Sequence, residues 1–331
     1  MRIFVIAIAV LLCCNIGAQV IVNVNGVPRD TSFNVYDTYT KEVKVRPFIK
    51  IAKVERNDSV KEIENITYSR PAGKRELKLN VYRPDDKNKY PALLMVHGGG
   101  WASGNLSMEI PLARAIAAKG YVTIPVEYRL SPEAQYPAAV HDLKTAVRWI
   151  RANAGKYGID TTHIAISGES AGGQLASLTG TTNGQQAYEG CGEYQGYSSA
   201  VHAVISIDGS LDFTVTEAVK RVEAEVAQGK RPASVRWFGG AYSTRKGMWI
   251  AASPLYQVTE KSAPTCFINS SIPRFHDGRD ETIAEMSRYN IYTEVYTIED
   301  TPHTFWLFHP WFDPTVSYMT DFLKKQFSKE K

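Results

Sequence analysis

Three short stretches of the chain carry groups that could do chemistry together. The first, Gly168-Glu169-Ser170-Ala171-Gly172-Gly173, sets a serine between glycines. A G-x-S-x-G run suits a nucleophile when it joins a strand to a helix, because the sharp turn lifts the hydroxyl clear of the backbone. Ile164-Ala165-Ile166-Ser167 reads as that strand, and Ala171 to Leu178 as that helix. The second stretch, His97-Gly98-Gly99-Gly100-Trp101, follows the apolar run Pro91 to Val96. Consecutive glycines let backbone N–H groups converge on one point without a side chain in the way, which builds a site for an oxyanion. The expected donors are the amides of Gly99, Gly100 and Ala171. A phosphate cradle is the competing reading of such a loop, but it requires a Gly-Lys-Ser/Thr step that the sequence lacks. The third stretch is Thr301-Pro302-His303-Thr304-Phe305. A late histidine suits a general base when serine, acid and histidine follow in that order. Serine, oxyanion donors and base together specify acyl transfer through a covalent intermediate, which needs no metal or organic cofactor. Of the other histidines, His97 belongs to the glycine loop, His141 to a helix, and His163 and His202 to strand flanks. His276 and His309 remain weaker alternatives for the base.

The elements that must position these groups alternate between strand and helix. Pro91 to Val96 is continuously apolar, the mark of a strand buried on both faces. Leu77 to Tyr82, Tyr121 to Val126, Ile164 to Ile166, Val201 to Ile207, Pro264 to Ile268 and Tyr292 to Ile298 read as further strands. Helices are expected over Ile110 to Lys119, Ala138 to Asn153, Ala171 to Leu178, Thr282 to Tyr289 and Val316 to Phe327. Strands separated by ten-residue helices predict an α/β fold, with a mostly parallel sheet covered on both faces. Residues 210–262 interrupt the rhythm as a partly helical insertion between strands 6 and 7. Residues 19–66 read as a β-rich extension in which Val43-Lys44-Val45 and Ile49-Lys50-Ile51 alternate as half-buried strands. The catalytic domain is expected over 67–331.

Composition narrows the partners. Lys+Arg 38 against Asp+Glu 34 gives a net charge of +4, too mild a surplus to point to nucleic acid. Arg2, the apolar run Ile3 to Leu12 and the small residues Gly17-Ala18 read as a secretory signal cut after residue 18. That apolar run is too short to span a bilayer, and the mature chain is expected to have no membrane span. A lipoprotein reading is weaker, because Leu12 before Cys13 is a poor match for a lipobox. Loss of Cys13 and Cys14 leaves Cys191 and Cys266, which could form one disulfide in an oxidising compartment. Cys266 lies in an apolar strand and suits a buried thiol better. Neither is part of a zinc-spaced cluster.

From about Leu77 to the end the chain resembles an α/β-hydrolase of the BD-FAE-like and hormone-sensitive-lipase-like carboxylesterase group. The resemblance rests on His97 to Trp101, Glu127-Tyr128-Arg129-Leu130-Ser131-Pro132-Glu133, Tyr136-Pro137-Ala138-Ala139, Asp142, the Gly168 to Gly173 run and the late His303. It implies an α/β-hydrolase fold and ester hydrolysis, with Glu127 to Arg129 and Asp142 as supports behind the site. BD-FAE-like members resemble acetyl and feruloyl esterases of plant polysaccharide. One position departs from the pattern. The family acid usually stands in an Asp-Pro step after the seventh strand, where this chain has Ser271-Ile272-Pro273. Asp208, at the end of the preceding strand, is the first substitute, because a strand end fixes a side chain better than a loop does. Asp280 is second and Asp277 third.

The sequence is 11% aromatic, and Trp101 and Trp306 flank the motifs. Both are candidates to line the substrate site, since aromatic faces suit sugar rings, although such clusters also serve as core. The expected function is therefore an exported serine esterase that removes acetyl, methyl or feruloyl groups from polysaccharide. The alternatives are a lipid or xenobiotic carboxylesterase, and a non-catalytic carbohydrate-binding homologue.

Overall fold

The computed structural model describes residues 21–24, 26–71 and 75–328. The expected signal segment, 1–18, lies outside the described residues. Eight strands form the central sheet: β1 Val60–Ser69, β2 Leu77–Pro84, β3 Tyr90–Val96, β4 Val122–Val126, β5 Ile159–Glu169, β6 Ala203–Ile207, β7 Thr265–Ser270 and β8 Thr293–Ile298. Their spatial order is β8-β7-β6-β5-β3-β4-β2-β1. Only β2 runs against the others, pairing antiparallel with both β1 and β4. Every other neighbouring pair is parallel.

The strand β3 shows why the sheet is double-covered. Ala92, Leu94 and Val96 join one core, and Leu93 and Met95 join the other, all at 0% exposure. Successive side chains point to opposite faces, so an unbroken apolar run fills both. Each such Leu contributes about 1.5–3 kcal/mol by leaving water. Helices Ala138–Ala152 and Ala171–Thr181 contribute to the first core. Helices Ile110–Ala117 and Phe312–Phe327 contribute to the second. Between β6 and β7 the chain forms three helices, Thr216–Ala227, Ala233–Phe238 and Tyr242–Ala251.

One sequence expectation for the extension is corrected. Val43 to Val45 is a turn after the helix Val35–Glu42, not a strand. Asn34 caps that helix by accepting from Asp37 N at 2.9 Å, and Asp37 and Lys41 sit at the ends that the helix dipole favours. Strand β1 spans the expected 66/67 junction between the extension and the catalytic domain, so the two are joined within one strand of the sheet. Further along the extension, Lys50–Ile51 pairs antiparallel with Phe308–His309, and Ala52 N donates to Leu307 O at 2.8 Å. This pairing ties the N-terminal segment to the stretch that follows His303.

Cys191 and Cys266 do not bridge: Cys191 is exposed and Cys266 is buried, and both are free. Burial pushes the Cys266 thiol well up, as expected of a packing residue. Among the described residues no helix is long and apolar enough to cross a membrane.

Candidate active site

The carboxyl ends of β3, β5, β6 and β7 deliver the groups of the site. Ser170 stands between β5 and the helix Ala171–Thr181 with φ 54° and ψ −117°, a conformation that a side chain normally avoids. Such backbone costs roughly 1–3 kcal/mol and persists only where neighbours enforce it. The enforcement is visible. Ser170 N donates to Ile207 O at 2.8 Å, and Gln174 N donates to Ser170 O at 3.0 Å. A Cβ on Gly172 would lie 1.9 Å from Val96 O, so only glycine lets the helix approach β3 this closely.

The glycine loop leaves the end of β3. Gly99 has φ 125°, and a Cβ there would lie 2.2 Å from Ser103 O. Its carbonyl is pinned by Ser103 N at 3.0 Å and Ser103 Oγ at 2.9 Å. The N–H groups of Gly99, Gly100 and Ala171 donate to no acceptor among the described residues, which leaves them free for a ligand oxygen. Behind the loop, Tyr128 donates its hydroxyl to His97 O at 2.8 Å and stacks on the His97 ring. Burial lowers His97 to about 4, so it is neutral near pH 7. Arg129 grips Asp142 through Nε and its terminal nitrogen at 2.9 and 2.7 Å, which ties the loop after β4 to the helix Ala138–Ala152.

His303 meets both of its expected partners. Its Nε2 lies 2.8 Å from Ser170 Oγ and its Nδ1 lies 2.9 Å from Asp208 Oδ2. Asp208 is 1% exposed. The end of β7 donates to it three times: Ser270 N at 2.8 Å, Ser270 Oγ at 2.6 Å and Asn269 Nδ2 at 3.3 Å. Such a carboxylate, desolvated and fully hydrogen-bonded, fixes the imidazole with Nδ1 protonated and Nε2 facing the serine as acceptor. With both ring nitrogens of His303 taken, Asp280 and Asp277 are left out. Asp280 pairs instead with Arg279 Nε at 2.8 Å on an exposed face, and that bond lowers its carboxyl. Desolvation raises Asp277, which is only half buried. His276 Nε2 contacts Ser270 O and His309 Nδ1 contacts Asp313, so neither competes for the serine.

A cavity of about 230 Å³ opens over Ser170, lined by Phe33, Gly99, Gly100, His303, Thr304 and Trp306. A larger cleft of about 580 Å³ lies among Arg29, Arg75, Lys78, Glu127 and Glu133, away from any nucleophile, and its charged side chains pair with one another. Trp306 lines this cavity, edge-on to His303 at 5.4 Å. Trp101 does not line the cavity. Its ring stacks on Trp237 at 4.7 Å and 8°, and Nε1 donates to Gln174 Oε1 at 2.9 Å. There the Trp101 indole is held in the core cluster by stacking and by its hydrogen bond to Gln174. Sequence reasoning missed Phe33. Its position in the chain is far from every motif, and long-range contacts bring its segment near: Tyr39 packs on Phe308, and Lys50–Ile51 pairs with Phe308–His309.

A further buried pair lies beneath the elbow. Glu169, next to Ser170, and Glu109 are 0% and 1% exposed, and Glu169 Oε1 and Oε2 and Glu109 Oε2 have no hydrogen-bond partner among the described residues. Desolvation pushes Glu109 up to about 7, and desolvation with the neighbouring Glu109 charge pushes Glu169 well above the carboxylate range. Two carboxyls desolvated together and raised by one another do not both ionise near pH 7.

Sheet order, elbow, glycine loop and late histidine define an α/β-hydrolase. The chain belongs to the BD-FAE family, an α/β-hydrolase esterase family whose model it matches over residues 79–275. It is similar to an esterase, LipC, of Mycobacterium tuberculosis, 30% identical over 205 residues that cover 58% of this chain and 47% of that protein. It is also similar to an arylesterase of Saccharolobus solfataricus, 39% identical over 105 residues, or 31% of this chain and 34% of that one. The chain thus spans about half or less of these relatives' length. Among solved structures, a bifunctional GH43-CE protein of Bacteroides eggerthii superposes with TM-score 0.68 at 26% identity, covering 83% of this chain and 39% of that one. A truncated carbohydrate esterase from gut microbiota shares the fold with TM-score 0.67 at 22% identity, covering 84% and 100%.

Proposed function

We propose that the chain is a serine carboxylic ester hydrolase whose substrates carry short acyl groups, acetyl above all, on carbohydrate. The hydrogen-bonded line from Asp208 through His303 to Ser170, ending in a cavity rimmed by free amides, carries this reading. His303 Nε2 takes the Ser170 proton as Oγ attacks the ester carbonyl. The tetrahedral oxyanion is held by the Gly99, Gly100 and Ala171 amides, which need no reorganisation as charge develops. His303 then protonates the leaving alcohol, activates water against the acyl-serine, and returns the proton to Ser170 as the acid departs.

Two features support the finer substrate class. A cavity of about 230 Å³ suits a few-carbon acyl group better than a long chain. Trp306 and Phe33 offer aromatic faces beside it. The fold shared with a carbohydrate esterase is consistent with the same class. Export is part of the proposal, supported by the basic, apolar and small residues in order over 1–18.

The test is turnover of p-nitrophenyl acetate, acetylated xylan, methylated pectin, a feruloylated oligosaccharide and a long-chain p-nitrophenyl ester. Acetylated xylan and p-nitrophenyl acetate are expected to be cleaved fastest. A preference for the long-chain ester would overturn the substrate class, and full turnover by Ser170→Ala would overturn the mechanism.

A further inference from the structure

The turn after β7, Ser271 to Phe275, supplies no acid to His303, yet it reaches the site. Pro273–Phe275 forms one short turn, with Phe275 N donating to Ile272 O at 3.1 Å and His276 N to Pro273 O at 2.8 Å. His276 Nε2 ties the turn back to Ser270 O at 2.6 Å. This places the Phe275 ring flat against the His303 imidazole, with centroids 3.5 Å apart and planes 6° from parallel. His303 covers one face of Phe275 at contact distance, and the Arg274 guanidinium lies 4.7 Å from the ring centre. The ring is therefore held, and it faces the base rather than lining the cavity.

We propose that Phe275 is a positioning residue for His303, holding the imidazole plane between Asp208 and Ser170 and favouring its charged form during proton transfer. The inference rests on the roles proposed above for Ser170 and His303. The two in-plane hydrogen bonds, 2.9 Å to Asp208 and 2.8 Å to Ser170, fix the ends of the imidazole. They leave the ring free to rock about the line between its nitrogens. A flat neighbour at contact removes that motion from one side, and Trp306, edge-on at 90°, limits it from another. The electrostatics point the same way. The face of an aromatic ring carries partial negative charge. His303 becomes imidazolium only as it accepts the Ser170 proton, so the attraction is stronger in the transition state than in the resting enzyme. Such a contact acts on kcat and leaves substrate binding alone. One segment, Asn269 to Phe275, then serves both partners: Asn269 and Ser270 hold the acid, and Phe275 holds the plane of the base.

The test compares Phe275→Leu and Phe275→Met, which fill the space without a π face, with Phe275→Tyr, which keeps one. Each is measured on p-nitrophenyl acetate for kcat and KM, with Tm as the check on folding. The aliphatic variants are expected to lose about tenfold in kcat with KM within about twofold of wild type, and Phe275→Tyr to stay within about twofold in both. Having two aliphatic variants keeps the comparison open should one fail to fold. An aliphatic variant with wild-type kcat, a loss confined to KM, or a tyrosine variant as slow as the leucine one would overturn the proposal. A wild-type chain with no turnover would overturn the Ser170 mechanism and this inference together. An active wild type whose kcat ignores Phe275 would overturn this inference alone.

Discussion

The substitution Asp208→Asn probes the site through a single atom pair. Asp208 Oδ1 accepts from Ser270 N and Asn269 Nδ2, while Oδ2 accepts from Ser270 Oγ and His303 Nδ1. In the amide, the remaining oxygen keeps the first two donors and the NH₂ group stands where Oδ2 was. The Ser270 hydroxyl can rotate to accept from that NH₂, and the loss is then confined to its own O–H, which gives up the Oδ2 acceptor at a cost of about 1–3 kcal/mol. Asparagine also tolerates the positive φ of 47° found at this position. The fold should therefore survive, and the damage should fall on His303. An NH₂ facing Nδ1 favours the tautomer with Nδ1 as acceptor and Nε2 protonated toward Ser170, which cannot take the serine proton. Wrong-tautomer substitutions of this kind cost about 10⁴ in kcat, or roughly 5–6 kcal/mol at 1.36 kcal/mol per tenfold. The assay is kcat on p-nitrophenyl acetate near pH 7, with Asp280→Asn as the control on an exposed carboxylate. An Asp208→Asn variant within tenfold of wild type, or an Asp280→Asn variant that loses as much, would refute the reasoning.

Three other perturbations follow from the same geometry. Gly172→Ala drives a methyl into Val96 O, 1.9 Å away, so urea unfolding should show a loss of roughly 3 kcal/mol or more. Glu109 holds its proton up to about 7 when folded, against an ordinary value of 4.5, so the native state gains protons over the unfolded chain in that window and stability falls as pH rises through it. Glu109→Gln cannot ionise, so it should match wild type below about pH 4.5 and exceed it above pH 7 by on the order of 3 kcal/mol in pH-dependent denaturation. Phe33→Ala removes a wall of the cavity and should shift the p-nitrophenyl ester preference from acetate toward butyrate and hexanoate.

The parts of the site legible in the sequence are those set by local chain geometry. Gly168 to Gly173 and His97 to Gly100 are glycine-dense because the backbone passes within van der Waals distance of other backbone, and that demand is written at the positions themselves. The choice of Asp208 over Asp280 followed from the stiffness of a strand end, and the structure sets Asp208 against His303. Long-range contacts leave no such local mark. Phe33 reaches the cavity because its segment packs on the Phe305 to Phe308 stretch through Tyr39 and the Lys50–Ile51 pairing, and Phe275 reaches His303 because its turn folds back on Ser270. Trp101 failed for the opposite reason: its place beside the motif was plain, but Trp237 and Gln174 decide which way it turns. Val43 to Val45 alternates like a strand, yet the Asn34 cap and Asp37 start a helix whose end it becomes. The strand period and a helix end cannot be told apart over three residues.

The central claim is that Ser170 is the atom that attacks. Treating the chain with phenylmethylsulfonyl fluoride and mapping the modified peptide by mass spectrometry tests it directly. One sulfonyl adduct on Ser170, appearing in step with the loss of p-nitrophenyl acetate turnover, is the expected result. Full loss of turnover with Ser170 unmodified, or an adduct on another residue, would contradict it.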